Sequence, residues 1–431
     1  MSPKKPKPKT RDPIEGVRLA AVGWYRDAFL GAFRAGQPLP LLRSILYAGI
    51  LVTALALIVG PHAGAPRLNL AIGFAFTISV LALAFGKLRP FKQRWLLIGL
   101  GYLLINIHYA PKPIQLLGAN VPNLWAWHPV FAFTVFVLFM ATIASLDLSL
   151  QDRRRILSVM VWAGVGLSVY LLLQIVKVND LLGNKPDWFW MRSLRGPLGN
   201  AVFVSPVLAM TVPLALYLRR WWQAGFMVLV VFLAQSSTAI LPMIAALLLY
   251  FGCRGKQRMI AAVAALLILV GGITLGVRSS ESFRDRVIDP GKFTTWKMTF
   301  EDWHTPLDPG QDNSFALTGQ GVGAFPYVFP VRHEAVMRIP VTYAHNEYLQ
   351  VLYELGIVGF LLMLTTIGAL FYRRFPLRDA WRGKADPYRL GLLGGFLSVA
   401  LSAVGVIVWQ LGVSFFYTAV LVGLLYRGDE D

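Results

Sequence analysis

Long uncharged apolar runs recur along the whole of this 431-residue chain, and nothing in it constrains the fold more. A run of about 18 or more such residues is long enough to cross the hydrocarbon core of a bilayer as a helix. Twelve spans are expected, at 44–60, 69–86, 95–109, 129–146, 156–176, 201–217, 222–236, 239–252, 259–277, 347–371, 390–407 and 409–426. Only 15% of the residues are charged and 56% are apolar, whereas soluble domains carry about 25% charged residues. The expected fold class is all-α, a polytopic integral membrane protein.

Charge orients the spans. Residues 222–252 and 390–426 could each be read as one overlong helix or as a tight pair. Both stretches have basic residues at both ends, which requires an even number of crossings. With that parity, 28 of the 41 Lys and Arg fall on one side and 13 on the other. The richer side is cytoplasmic by the positive-inside rule. The resulting plan is a cytoplasmic basic tail and amphipathic lead-in (1–43), helices 1–9 (44–277), a large periplasmic loop (278–346), helices 10–12 (347–426) and a cytoplasmic tail (427–431). The start, "MSPKKPKPKTRDP", lacks an apolar core and reads as a solvated tail rather than a cleavable signal. The net charge of +19 follows this membrane distribution, so nucleic acid is not an expected partner. Cys253 is the single cysteine, so no disulfide forms within the chain.

Unusual sequence collects on the outer side. The 278–346 loop is far longer than connections within a bundle, and such loops are usually functional or disordered. Its Trp296, Trp303, Phe325 and Phe329 predict a packed one. Directly after it, "TYAHNEYLQVLYELGIVGF" (342–360) passes from polar residues into an apolar helix pattern. His345 and Asn346 then stand at a helix N-terminus, where free N–H groups and the positive dipole end favour an anion and disfavour imidazolium. A neutral histidine there is a candidate general base; a capping histidine at the membrane interface is the alternative. Gly356 and Gly359 leave a flat face for the close approach of another helix. "GQGVGAF" (319–325) reads as a turn packed by aromatics, with a phosphate-binding nest as the less favoured alternative. Asp302, Asp308 and Asp312 are too far apart to suggest a metal cluster, and His304 and His333 lack ligand-spaced partners.

His345-Asn346, nine residues, then Gly356-x-x-Gly359 resembles the signature of the O-antigen ligase family, a superfamily that also holds O-antigen polymerases and bacterial O-oligosaccharyltransferases. "LTGQGVGAFPYVFP" resembles the Gly-rich approach to that histidine. The resemblance implies transfer of a glycan from undecaprenyl diphosphate to an acceptor hydroxyl, a lipid A–core sugar in ligases, on the periplasmic face of the bacterial inner membrane. It also implies that arginines hold the diphosphate and that His345 assists the acceptor, with neither metal nor cofactor.

A departing diphosphate needs its charge neutralised by a metal on carboxylates or by Arg and Lys. The outer loops 61–68 and 110–128 contain no Asp or Glu, which favours cations. Arg195, in "RGPLGN", is the first candidate, with Gly196, Gly199 and Asn200 permitting close backbone approach; its bland role is a snorkelling interfacial arginine. Arg284, Arg286 and Lys292 are candidates for a second cation, with Arg286 or Arg284 favoured because arginine is the better bidentate phosphate ligand; taken individually, each reads first as a solvated loop charge. Glu347 either orients a substrate or caps the helix. Many relatives carry an arginine where Ser237 stands, so Lys292, Lys297 or another arginine would have to replace it. Polymerization of lipid-linked repeats and protein O-glycosylation are the alternative reactions. A flippase or transporter is disfavoured because the span interiors are almost free of charge.

Overall fold

The computed structural model describes residues 38–55, 64–87, 94–109, 124–175, 201–234, 236–253, 255–265, 267, 290–305, 315–333 and 341–427. The described residues form helices and connections with no strand. We number the helices α1 (Pro38–Leu55), α2 (Gly64–Ala84), α3 (Arg94–Tyr109), α4 (Leu124–Ser145), α5 (Leu150–Ile175), α6 (Ala201–Tyr217), α7 (Trp221–Leu233), α8 (Ser237–Gly252) and α9 (256–265). The chain continues through α10 (Pro290–Asp302), α11 (Phe315–Thr318), α12 (Phe325–Arg332), α13 (Glu347–Arg374), α14 (Leu377–Trp381), α15 (Pro387–Ser402) and α16 (Gly412–Arg427).

Each expected span contains described helical residues, 259–277 only as far as 267, and the helices differ in reach. Among the described residues, three stretches, His128–Ser145, Leu150–Leu173 and Glu347–Arg374, are long and apolar enough to cross a membrane by length and composition. The others are shorter. At 13 residues, α7 extends about 20 Å at 1.5 Å per residue. The first helix begins at Pro38 rather than near 44, taking Arg43 into the bundle. Each ambiguous stretch is two helices: α7 and α8 part at Ala234–Ser236, and α15 and α16 are joined by residues 403–411.

The core is organised around the last two helices. α15 packs against α6 and α8, while α16 packs against α1, α2 and α4. Small residues make this possible, as expected where helices meet without a hydrophobic drive. A Cβ at Gly395 would lie 2.8 Å from the Met210 carbonyl oxygen, so α15 and α6 touch almost backbone to backbone. On α16, Phe416 is fully buried against Phe139, with ring centroids 4.7 Å apart.

The bundle has two chemically different ends. At one, Arg43 pairs with Asp152, and Arg427 lies 3.9 Å from Asp147. There too Arg154 donates to the Tyr217 hydroxyl, Arg374 stacks over Tyr426, and the Lys256 ammonium sits over Trp381. The other end gathers α10–α12, the start of α13, the tip of α3 and the 403–411 connector.

Candidate active site

The site is built from the start of α13. Asn346 has extended backbone, and its side-chain oxygen accepts the N–H groups of Tyr348 (3.0 Å) and Leu349 (3.1 Å), an N-cap. The Glu347 N–H donates to the Ala403 carbonyl at 2.9 Å. The first amides of α13 are therefore consumed by the protein. This corrects the expectation of free N–H groups for an anion: the cap and the connector reach them first. His345, half-buried, sits one residue before the cap at φ 52°. A non-glycine residue in this left-handed region carries strain of about 1 kcal/mol.

The connector between α15 and α16 closes around that turn. The buried Glu347 carboxylate accepts the Trp409 N–H (3.0 Å) and the Gln410 side-chain amide (3.2 Å). Tyr348 donates to the Ala400 carbonyl at 2.7 Å and meets Trp409 edge to face. Lys292, near the start of α10, donates to the Gly405 carbonyl at 3.1 Å. A Cβ at Gly405 would lie 2.4 Å from the Thr238 methyl, so the N-terminus of α8 abuts the same connector. Ser237, beside Thr238, thus neighbours the loop that Lys292 reaches. Lys297 instead pairs with Glu301 on an exposed face. Tyr343 lies two residues before His345; burial, with the Glu347 and Glu354 carboxylates adding to it, pushes its hydroxyl above the usual tyrosine range and keeps it protonated.

Deeper in, the Gly-rich turn wraps a break in α13. Gly356 has φ 65° and ψ −169°, so the helix kinks there. The carbonyls released above the kink all find donors: Tyr353 from the Gln320 N–H (2.8 Å), Glu354 from the Gly321 N–H (2.9 Å) and Leu355 from the Tyr102 hydroxyl (2.7 Å). A Cβ on Gly319 would lie 2.4 Å from the Glu354 backbone, and one on Gly356 would lie 2.3 Å from the Leu317 oxygen. Close approach was expected at Gly356; its partner is the backbone of α11 and the following turn, while Gly359 faces the Tyr102 ring. The buried Glu354 carboxylate accepts the Gly323 and Phe325 amides, and Asn106 accepts the Val322 amide while donating to the Thr318 carbonyl. The amides of the turn are taken by the chain's own Glu354 carboxyl group, which corrects the phosphate-nest alternative.

Aromatic packing of the large loop centres on Phe325 and Phe329, both fully buried and stacked 4.6 Å apart against Tyr353; Trp296 and Trp303 are half-buried. His333, unpaired by sequence spacing, gains a partner in space: its Nε2 lies 2.6 Å from Asp302, which also has Arg332 at 3.6 Å. This fastens the end of α10 to α12. Among the described residues, no three His, Cys, Asp or Glu side chains come together as a metal site would need. Arg195, Gly196, Gly199, Asn200, Arg284 and Arg286 lie outside the described residues, as do Asp308, Asp312 and the 1–37 tail. The contributions of Asn106, Tyr102, Trp409 and Gln410 were not foreseen. Asn106, a lone amide inside an apolar run, is the one that a polar-residue scan of the spans would have flagged.

Residues 222–364 match the family model described as O-antigen ligase. The match supports an O-antigen ligase family assignment. The family fits membrane enzymes that transfer lipid-linked glycans, of ligase or polymerase type. The matched segment contains Lys292, the Gly-rich turn, His345, Glu347, Gly356 and Gly359, while α3 and the 403–411 connector lie beyond it. No curated protein matches the chain significantly.

Proposed function

We propose that this protein is an O-antigen ligase that transfers a glycan, with inversion and without a metal, from undecaprenyl diphosphate to a lipid A–core hydroxyl at the periplasmic face of the inner membrane. The observation that carries the reading is the convergence of the His345 turn and Lys292 on one connector, at the end of the bundle opposite the Arg43–Asp152 and Arg427–Asp147 pairs. His345 takes the acceptor proton as the acceptor oxygen attacks the anomeric carbon. The bond from that carbon to the diphosphate breaks, and the departing charge is met by cations. Lys292 supplies one, standing in for the arginine replaced by Ser237, and Arg195 with Arg284 or Arg286 supplies the others. Asn346, Glu347, Gly356 and Gly359 hold the turn and helix in place, and Gly196, Gly199 and Asn200 admit the phosphate. Positioning and electrostatic stabilisation provide most of the acceleration.

The test is reconstitution of purified protein with lipid-linked donor and lipid A–core in the presence of chelator. Product should form, and His345→Ala should insert normally but lose it. Full activity in that variant removes the histidine's role, and dependence on divalent cations removes the metal-free mechanism. In a deletion strain, bare core with accumulated lipid-linked chains supports ligation, whereas core carrying one repeat supports polymerization. A cysteine at position 345, in a Cys253→Ser background, should react with a thiol reagent that cannot cross the inner membrane.

A further inference from the structure

We propose that Glu347 is a positioning residue, which through the 403–411 connector sets the His345 turn and the Lys292 ammonium relative to each other. The inference rests on the transfer reaction proposed above. One residue grips both ends of the connector: the Glu347 backbone N–H binds the Ala403 carbonyl, and its carboxylate binds the Trp409 N–H and the Gln410 amide. Between these grips, the Gly405 carbonyl accepts from Lys292, and Gly405 has no room for a Cβ against Thr238. Glu347 stands two residues after His345, so both halves of the proposed chemistry are tied to a single nine-residue segment. Lys292 is separated from His345 by more than fifty residues of chain, and the connector is where Lys292 and Glu347, two residues after His345, are both hydrogen-bonded. The helix α10 also packs along α13, so opening the clasp displaces the lysine end without freeing the helix.

The hydrogen-bond pattern separates this role from acid–base catalysis. A glutamine at this position can still accept the Trp409 N–H and can donate to Gln410 once that amide reverses, so Glu347→Gln preserves the clasp. An acid–base group would not survive the change. In the reconstituted assay, Glu347→Ala is expected to lower kcat/KM by about 100-fold, a positioning loss, while Glu347→Gln stays within about tenfold of the native enzyme. Combining Glu347→Ala with Lys292→Met should cost no more than the worse single change, because both remove the same placement. Gly405→Ala attacks the connector from its other face, without touching Glu347, and should reproduce the loss. Thr238→Ser, which removes the colliding methyl, should restore activity to Gly405→Ala.

Equal inactivity of Glu347→Gln and Glu347→Ala overturns the proposal in favour of proton transfer, as do multiplicative losses in the double variant or an inert Lys292→Met. Undecaprenyl diphosphate as a binding probe, read by thermal shift, covers variants with no turnover and separates the two levels of the reading. Native-like binding in both Glu347→Ala and Gly405→Ala removes the positioning role. A native enzyme that forms no product in the same assay removes the transfer reading instead, whereas a His345→Ala enzyme that still turns over removes only the histidine's role.

Discussion

The two ends of the bundle are held by different physics. At the basic end, side chains meet as charges: Arg43 with Asp152, Arg427 with Asp147, Arg374 over Tyr426. At the site end, backbone groups are clamped by a few buried polar side chains. Glu347 and Glu354 accept amides, Asn346 caps a helix, and Gly319 meets Gly356 with no side chain between. Charge pairs tolerate small displacements because Coulomb attraction falls slowly with distance. A hydrogen-bonded backbone does not, since its bonds weaken steeply with angle. The end proposed to hold reacting groups in register is thus the one built from short directional bonds.

This contrast can be broken most forcefully at His345. Its left-handed backbone suits glycine, so His345→Gly should fold at least as stably as the native chain, yet lose about 10²–10⁴-fold in product formation. Melting in detergent and turnover in liposomes measure the two sides; a variant that loses stability and activity together would make the histidine structural. Next in size, Gly356→Ala forces a Cβ to within 2.3 Å of the Leu317 oxygen in a strained conformation. A loss of at least about 2 kcal/mol is expected, seen as poor folded yield on size-exclusion chromatography. Arg43→Met, at the opposite end, should cost about 1–2 kcal/mol by leaving Asp152 without its partner, while turnover at low temperature stays native. Abolished turnover there would mean that the ends are coupled. The smallest effect is expected of Asn346→Ala: about 1 kcal/mol from the lost cap, with a modest rise in KM as the His345 turn loosens.

Much of this protein was legible before its structure. Apolar runs located the helices, because burial or a lipid environment leaves a long hydrophobic segment little else to do. Basic residues sorted the helix ends into two groups, and residues given the same side, such as Arg43 and Asp152 or Gly255 and Ala380, do meet. His345, Glu347 and the paired glycines were visible as a motif because they lie close together in sequence. The connector was not. "AVGVIVWQL" (403–411) reads as more apolar span, and its contribution is made through the carbonyls of Ala403 and Gly405 and the amide of Trp409.

The sequence by itself therefore determined where hydrophobic helices form, which ends share a side, and which short motif resembles the family signature, since each of these depends on residue type at local spacing. Only the tertiary structure decided that Lys292 rather than Lys297 reaches the site's connector, that Glu354 fills the Gly-rich turn, and that the amides of the α13 N-terminus are already taken. Those outcomes turn on backbone groups that every residue possesses. A main-chain donor or acceptor has no signature in the sequence until the fold gives it a partner.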